Sequence, residues 1–310
     1  MEWELKIIEW LQSYAGTFTT SLGKALAFLG DEKGLLIVIL AVMFCYKKES
    51  GKKMAVIITT MLSWLAMIKG IVLRPRPYLQ YPDRVKILAK VESSANASDV
   101  AAQGYSFPSM HSASVPALYF TLAESIKKRA AYVIASLLTL LVTVSRVFVG
   151  AHYPTDVLAG LLIGFATMGI YRLAEKHIQN EWLRTLLLLI TTLPGLFFVR
   201  TNDYFTSLGL LIALTAAIPF ESKYVNYENT ASIPAKFLRL AGALVLYFAL
   251  NSLLKLPFDK SFLENGSFLS LLVLAPGDFG HSESGNFGQF QSTDFGQRIS
   301  FSCSAVILFR

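Results

Sequence analysis

Apolar residues in this chain fall into long runs broken by short polar connections, and these runs set the expected elements. They predict helical spans near residues 30–46, 54–73, 110–126, 130–148, 155–172, 184–199, 206–219 and 235–256. About 20 helical residues cross the hydrocarbon core of a bilayer. Open strands are barred from it, because lipid offers no partner to an unpaired backbone group. The expected fold class is all-α, a polytopic helical membrane protein. Two N-terminal stretches read differently. In MEWELKIIEWLQSY (1–14), Trp3, Ile7, Trp10 and Leu11 recur at a helical spacing that suits an interfacial helix. The half-polar TFTTSLGKALAFLG (17–30) suits a second short helix at the membrane surface. The first stretch has neither a basic start nor a small-residue cleavage site, so no cleaved signal peptide is expected.

This pattern divides the chain into interfacial helices (1–30), a helical bundle (31–175), additional transmembrane helices (176–256) and a flexible tail (257–310). Within the tail, residues 275–297 are rich in Gly, Ser, Gln and Phe and carry no helical period, so His281 there is incidental. In the long loop 74–109, ESSANAS reads as mobile, and Asn96-Ala97-Ser98 matches a glycosylation acceptor, a pattern common by chance.

Composition agrees with a membrane chain: 54% of residues are hydrophobic and 16% charged, against roughly a quarter charged in soluble domains. The formal charge of +7 is distributed unevenly. Lys47, Lys48, Lys52 and Lys53 crowd one connection, and Lys127, Lys128 and Arg129 another. Arg172, Lys176 and Arg184 flank a third, and Lys223, Lys236 and Arg239 a fourth. Counted from the first span, all four lie on one side, which the positive-inside rule makes cytoplasmic. The basic balance is thus a topology signal and implies no nucleic-acid partner. Two cysteines, Cys45 and Cys303, are too few for a disulfide framework or a metal site.

The opposite side collects residues that run against this bias. KGIVLRPRP (69–77) ends a span with Lys69, Arg74 and Arg76. Prolines 75 and 77 disfavour helix at the residues before them, so the chain must turn there. Lys69 alone would read as a snorkelling lysine. PSMH (108–111) puts Ser109 where a helix begins; serine is a good cap, and the first amides of a helix face any anion there. His111 then lies in the first turn. SRVFVGAHYPTD (145–156) closes one span at Arg146 and opens another at Pro154. Asp156, in that first turn, is placed to accept a hydrogen bond from His152, and Gly150 permits a tight connection. Charged groups at membrane depth need partners or a cavity, which makes a functional site the default reading. Cations, neutral donors and two histidines together suit a tetrahedral oxyanion, and the cations supply the charge stabilisation a metal would otherwise give.

These three stretches resemble the signature of the type-2 phosphatidic acid phosphatase superfamily. Its pattern is Lys, six residues, Arg-Pro; then Pro-Ser-Gly-His; then Ser-Arg, five residues, His, three residues, Asp. The chain reads Lys69–(six)–Arg76-Pro77, Pro108-Ser109-Met110-His111, and Ser145-Arg146–(five)–His152–(three)–Asp156, across roughly residues 20–175. The departure is Met110 in place of glycine. A backbone N–H donated to phosphate survives that change, whereas a positive φ or a need for room would not.

The resemblance implies the acid phosphatase/vanadium haloperoxidase-like helical bundle, here with extra C-terminal transmembrane helices. It also implies roles: His152 as nucleophile forming a phosphohistidine, Asp156 orienting it, and His111 as general acid. Lys69, Arg76, Ser109, the Met110 backbone and Arg146 would bind phosphate, with Ser145 and Arg74 as possible accessories. No cofactor and no metal are expected. The expected function is hydrolysis of lipid phosphate monoesters or diphosphates, as in bacterial enzymes acting on undecaprenyl diphosphate or phosphatidylglycerophosphate. The partners are then a lipid substrate and the bilayer, in the cytoplasmic (inner) membrane with the site facing outward. Two alternatives stand beside it: a lipid phosphotransferase with an alcohol acceptor, and a transporter or scaffold with a degenerate site. A soluble haloperoxidase is at odds with the spans. The later spans carry no recognisable site, and Arg200 and Asp203 read as an interfacial pair.

Overall fold

The computed structural model describes residues 2–90, 96, 103–199, 201–229 and 232–253. The expected tail, Arg200, and residues 91–95 and 97–102 of the long loop, which include two of the three glycosylation-acceptor residues, lie outside the described residues. The chain forms helices α1 (Glu2–Gln12), α2 (Thr17–Phe28), α3 (Glu32–Ala41), α4 (Lys48–Val72) and the single turn α5 (Pro77–Gln80). After the long loop come α6 (Met110–Ile126), α7 (Arg129–Phe148), α8 (Pro154–His177), α9 (Glu181–Thr192), α10 (Asn202–Phe220) and α11 (Ile233–Leu253). No strand occurs among the described residues.

Helix α6 is the centre of the bundle, packed against α4, α7 and α8. Met61 and Leu65 of α4, Ala113 and Leu118 of α6, and Met168 and Tyr171 of α8 share one buried cluster. Helix α8 comes close to α6 because Gly160 and Gly164 face it. A Cβ at either would stand 2.4 Å from a backbone oxygen, Ser109 O and Ala113 O respectively. Helix α10 packs on α4 and α9, extending the bundle on its other flank. Outward faces stay apolar: Val133, Leu137 and Leu140 of α7 and Leu158 and Leu162 of α8 are all exposed. Such a surface suits lipid, not water.

Four helical segments among the described residues are long and apolar enough to cross a membrane: Lys48–Gln80, Arg129–Phe148, Pro154–His177 and Asp203–Val225. Fewer spans than expected therefore reach full length. The run 30–46 is split into α3 and a π-helical turn, Val42–Tyr46. The run 184–199 stops as α-helix at Thr192, where Pro194 enters a 3-10 turn over Leu193–Phe197. Helix α6 has 17 residues, roughly 25 Å at 1.5 Å per residue.

The first helix differs in its orientation. Leu5 and Ile8 are buried with Glu4 and Gln12, while Trp3, Ile7 and Trp10 stay exposed. Three of the four stripe residues named from sequence thus face outward, as expected for interfacial aromatics, while Leu11 packs inward. The opposite face docks on α7 and α8.

Candidate active site

One end of the bundle gathers the three motif stretches. Helix α4 ends where Leu73 takes a left-handed conformation (φ 49), and the chain continues extended through Arg76, ahead of Pro77. That path carries the Arg76 guanidinium inward, where it is 2% exposed. Its Nε donates to the carbonyls of Gln103 (2.9 Å) and Gly104 (3.0 Å), and Nη1 donates to Ala151 O (3.0 Å). Backbone carbonyls hold the fork while the charge stays available to an anion.

His152 lies in the turn between α7 and α8. Gly150 permits that turn at φ +79, and a Cβ there would stand 2.7 Å from Lys86 O. His152 Nδ1 is 2.8 Å from Ser106 O. A carbonyl only accepts, so Nδ1 carries the proton and Nε2 keeps its lone pair. Nε2 stands 3.3 Å from Arg76 Nη1. Burial pushes the His152 imidazole down to about 4; Asp156 partly opposes this, while Arg76 and Lys69 add to it. The ring is neutral at ordinary pH, as a nucleophile requires.

Asp156 was expected to accept a hydrogen bond from one imidazole nitrogen. Its Oδ2 stands 3.7 Å from Nδ1, so Ser106 O, at 2.8 Å, is the closer acceptor. Asp156 is otherwise well anchored: Oδ2 accepts from Tyr153 N at 2.8 Å and Oδ1 from Arg74 Nη1 at 2.7 Å. Arg74 in turn donates from Nη2 to Glu4 Oε2 (2.9 Å) and from Nη1 to Thr155 Oγ1 (2.7 Å), and it covers the Tyr153 ring. Thr155 Oγ1 donates to Glu4 Oε1 at 2.6 Å. The structure therefore turns Arg74 toward two carboxylates, where its charge is already matched.

Arg146, in the last turn of α7, is 5% exposed. Its Nη2 donates to Gly23 O (2.8 Å) and Ser145 Oγ (3.2 Å). His111 lies within electrostatic reach of Arg146, His152, Arg76 and Lys69. Ser109 caps α6: its Oγ accepts from Ser112 N (3.4 Å) and from the Ser112 hydroxyl (3.0 Å). Ser109 N donates to Asp156 O at 3.0 Å, tying the start of α6 to the start of α8. Met110 is the first helical residue, and its side chain packs against the central apolar cluster. It is absent from the positive-φ positions, so the left-handed freedom of glycine is not needed there. Its backbone stays in the first turn, where amides lack intrahelical partners.

Residues that sequence reasoning missed come from the N-terminal helix and from loop carbonyls. Glu4 and Gln12 are buried. Gln12 donates to Lys86 O (2.8 Å) and Phe148 O (3.1 Å), bracing the turn that carries His152. One available signal was spacing, since Glu4, Ile8 and Gln12 share a helical face. Ser106 O had none. Among the described residues no group of three or more His, Cys, Asp and Glu is arranged to hold a metal ion.

The PAP2 superfamily profile matches residues 51–179, which include every residue of the three motifs. These residues form a PAP2 superfamily domain. Phosphatidylglycerophosphatase B of Bacillus subtilis (strain 168) is 32% identical over 85 residues. That stretch is 24% of this chain and 42% of the relative, so less than half of the relative's length is matched. No solved structure matches the chain at a significant level. The PAP2 domain takes in α6, α7, α8 and nearly all of α4. It excludes α1, α3 and α10, although α1 contacts the site through Glu4.

Proposed function

We propose that the chain is an integral membrane phosphatase that hydrolyses lipid phosphates through a phosphohistidine on His152, without a metal ion. The observation that carries this reading is the state of His152. Its Nδ1 is tied to Ser106 O, and its Nε2 keeps a lone pair beside Arg76. Nε2 attacks phosphorus as the bond from phosphorus to the lipid oxygen breaks, and His111 delivers a proton to that oxygen. Water then attacks phosphorus, His111 takes its proton, and the P–N bond breaks to release phosphate. Arg76, Arg146 and Lys69, with the amides at the start of α6, stabilise the charge on the equatorial oxygens. Asp156 stabilises the imidazolium-like ring, in the manner of other His–Asp pairs.

Apolar outer faces and membrane-length helices support a lipid substrate whose tail stays in the bilayer. The name of the Bacillus relative makes phosphatidylglycerophosphate the first substrate to try, with undecaprenyl diphosphate as the diphosphate comparison. The test is phosphate release by the purified full chain in detergent, with EDTA present, across such a panel. Release that vanadate inhibits is expected. A folded His152→Ala protein should lose several orders of magnitude, as removal of an activated nucleophile does. Substantial activity in that variant, or a strict magnesium requirement, overturns the reading.

A further inference from the structure

A mostly apolar groove runs between α3, α4 and α10. Each helix contributes one continuous stripe. The stripe on α4 runs from Ala55 through Leu62 to Lys69, that on α3 from Glu32 toward Met43, and that on α10 from Asp203 to Leu214. Of the polar lining residues, Glu32, Lys69, Asp203, Thr206 and Ser207 stand toward the site end, and Thr59 lies deeper, at the level of Leu40, Ile58 and Leu210. Lys69 and Met110 line this groove and also belong to the candidate phosphate site.

We infer that this groove holds one acyl chain of the lipid phosphate whose headgroup occupies the site, an inference that rests on the phosphatase reading above. The mostly apolar walls disfavour a polar ligand, and the carboxylates of Glu32 and Asp203 at the mouth disfavour a second anionic group there. Depth selects the occupant. Below the polar mouth, the α4 stripe from Ala55 to Ala66 rises roughly 16.5 Å at 1.5 Å per residue, close to one leaflet's depth of about 15 Å, half of the ~30 Å hydrocarbon core. The groove therefore takes a chain of one leaflet's depth, and a long polyprenyl chain would overrun it. Helices α3 and α10 both lie outside the PAP2 domain, so two of the three walls are additions to it. Because lipid tails are already in an apolar phase, the groove gains by shape and packing rather than by transfer from water. Filling it should then discriminate between chains more than it weakens headgroup binding.

The test uses the full chain in lipid nanodiscs with long-chain and short-chain phosphatidic acids. Leu62→Trp and Leu210→Trp should each lower the long-to-short ratio of kcat/KM by about tenfold or more, the scale on which pockets separate apolar groups. An unchanged ratio in folded variants overturns the inference. A separate measurement needs no turnover: a long-chain phosphatidic acid with a diazirine at mid-chain, photolysed in the wild-type protein and mapped by mass spectrometry. Adducts on α3, α4 and α10 support the groove, and adducts confined to the outer leucines of α7 and α8 overturn it. If the wild type releases phosphate from no lipid, the phosphatase reading falls, and the adduct map still decides whether a chain occupies the groove.

Discussion

At the scale of single residues, the chemistry rests on which groups are neutralised and which stay available. His152 is buried among cations, so its proton affinity in the folded protein lies near 4 rather than at the ordinary 6.5. A base is lost as pH falls through its own pKa, so this histidine should not impose an acid limb near 6.5 on kcat/KM. Measured on the wild type, that limb should appear toward pH 4. Stability responds over a higher pH window. Between about 6.5 and about 4 the unfolded chain binds the proton and the folded one does not, so His152 lowers stability as pH drops through that window. Unfolding in detergent at pH 7 and pH 5 checks the sign. Arg74 gives a second prediction. It pairs with Asp156 and Glu4, whose side chains are 0% and 4% exposed. Arg74→Met leaves two buried carboxylates without their cation, a defect that typically costs about 3–5 kcal/mol. Adding Glu4→Gln should restore part of that loss, because one of the stranded charges is removed. A double-mutant cycle by thermal unfolding reads the coupling, and strictly additive losses would show that Glu4 and Arg74 do not act together.

At the scale of elements, the sequence shows where helices start more clearly than where they face. Pro154 and Ser109 mark helix beginnings that the structure has at those residues. The three motifs were legible because fixed spacings place them at helix ends. Lengths were less legible, since an apolar run does not reveal a π-helical turn at Val42–Tyr46 or a break at Pro194. Nor does periodicity choose between the two faces of α1, because Trp3 and Ile7 look as suitable for burial as Leu5 and Ile8. Neighbours decide that: Arg74 and Thr155 come to Glu4 from distant parts of the chain. Partners that are backbone atoms, such as Ser106 O, leave no trace in residue type. The α6–α8 contact supplies a prediction at this scale. Gly160→Leu puts a Cβ where Ser109 O now lies, forcing apart the helices that carry His111 and Asp156. Overpacking of this kind costs about 1–3 kcal/mol, and phosphate release should fall further than stability because the site straddles that contact. Gly169, on the same helix with nothing within 4 Å of its Cβ position, is the control. Gly169→Ala should be neutral or stabilise by up to about 1 kcal/mol.

At the scale of the whole molecule, the two ends of the bundle carry different charge arrangements, and this bears on which side of the membrane the site faces. The end away from His152 holds the basic connections, and ion pairs knit it together. Lys53 meets Glu175 at 2.7 Å, Lys52 meets Glu221 at 2.8 Å, Lys48 meets Glu221 at 3.0 Å, and Arg172 pairs with Glu124. Glu221 is 1% exposed, so it binds α4 to the end of α10 from inside the structure. Pairing does not cancel the orientation signal, because that signal follows Lys and Arg near span ends while Asp and Glu contribute little. Exposed Lys47, Lys127 and Lys128 remain at this end as well. At the other end Arg76 and Arg146 are buried among carbonyls and histidines, while Lys24 and Lys86 are exposed. If the clustered connections set the orientation, the site should face outward. On a background with Cys45 and Cys303 replaced, Asp83→Cys, exposed beside the site, should react with a membrane-impermeant maleimide in intact cells. Lys128→Cys should react only after permeabilisation. The opposite result would place the site in the cytoplasm, and the lipid phosphates to be tested would then be those of the inner leaflet.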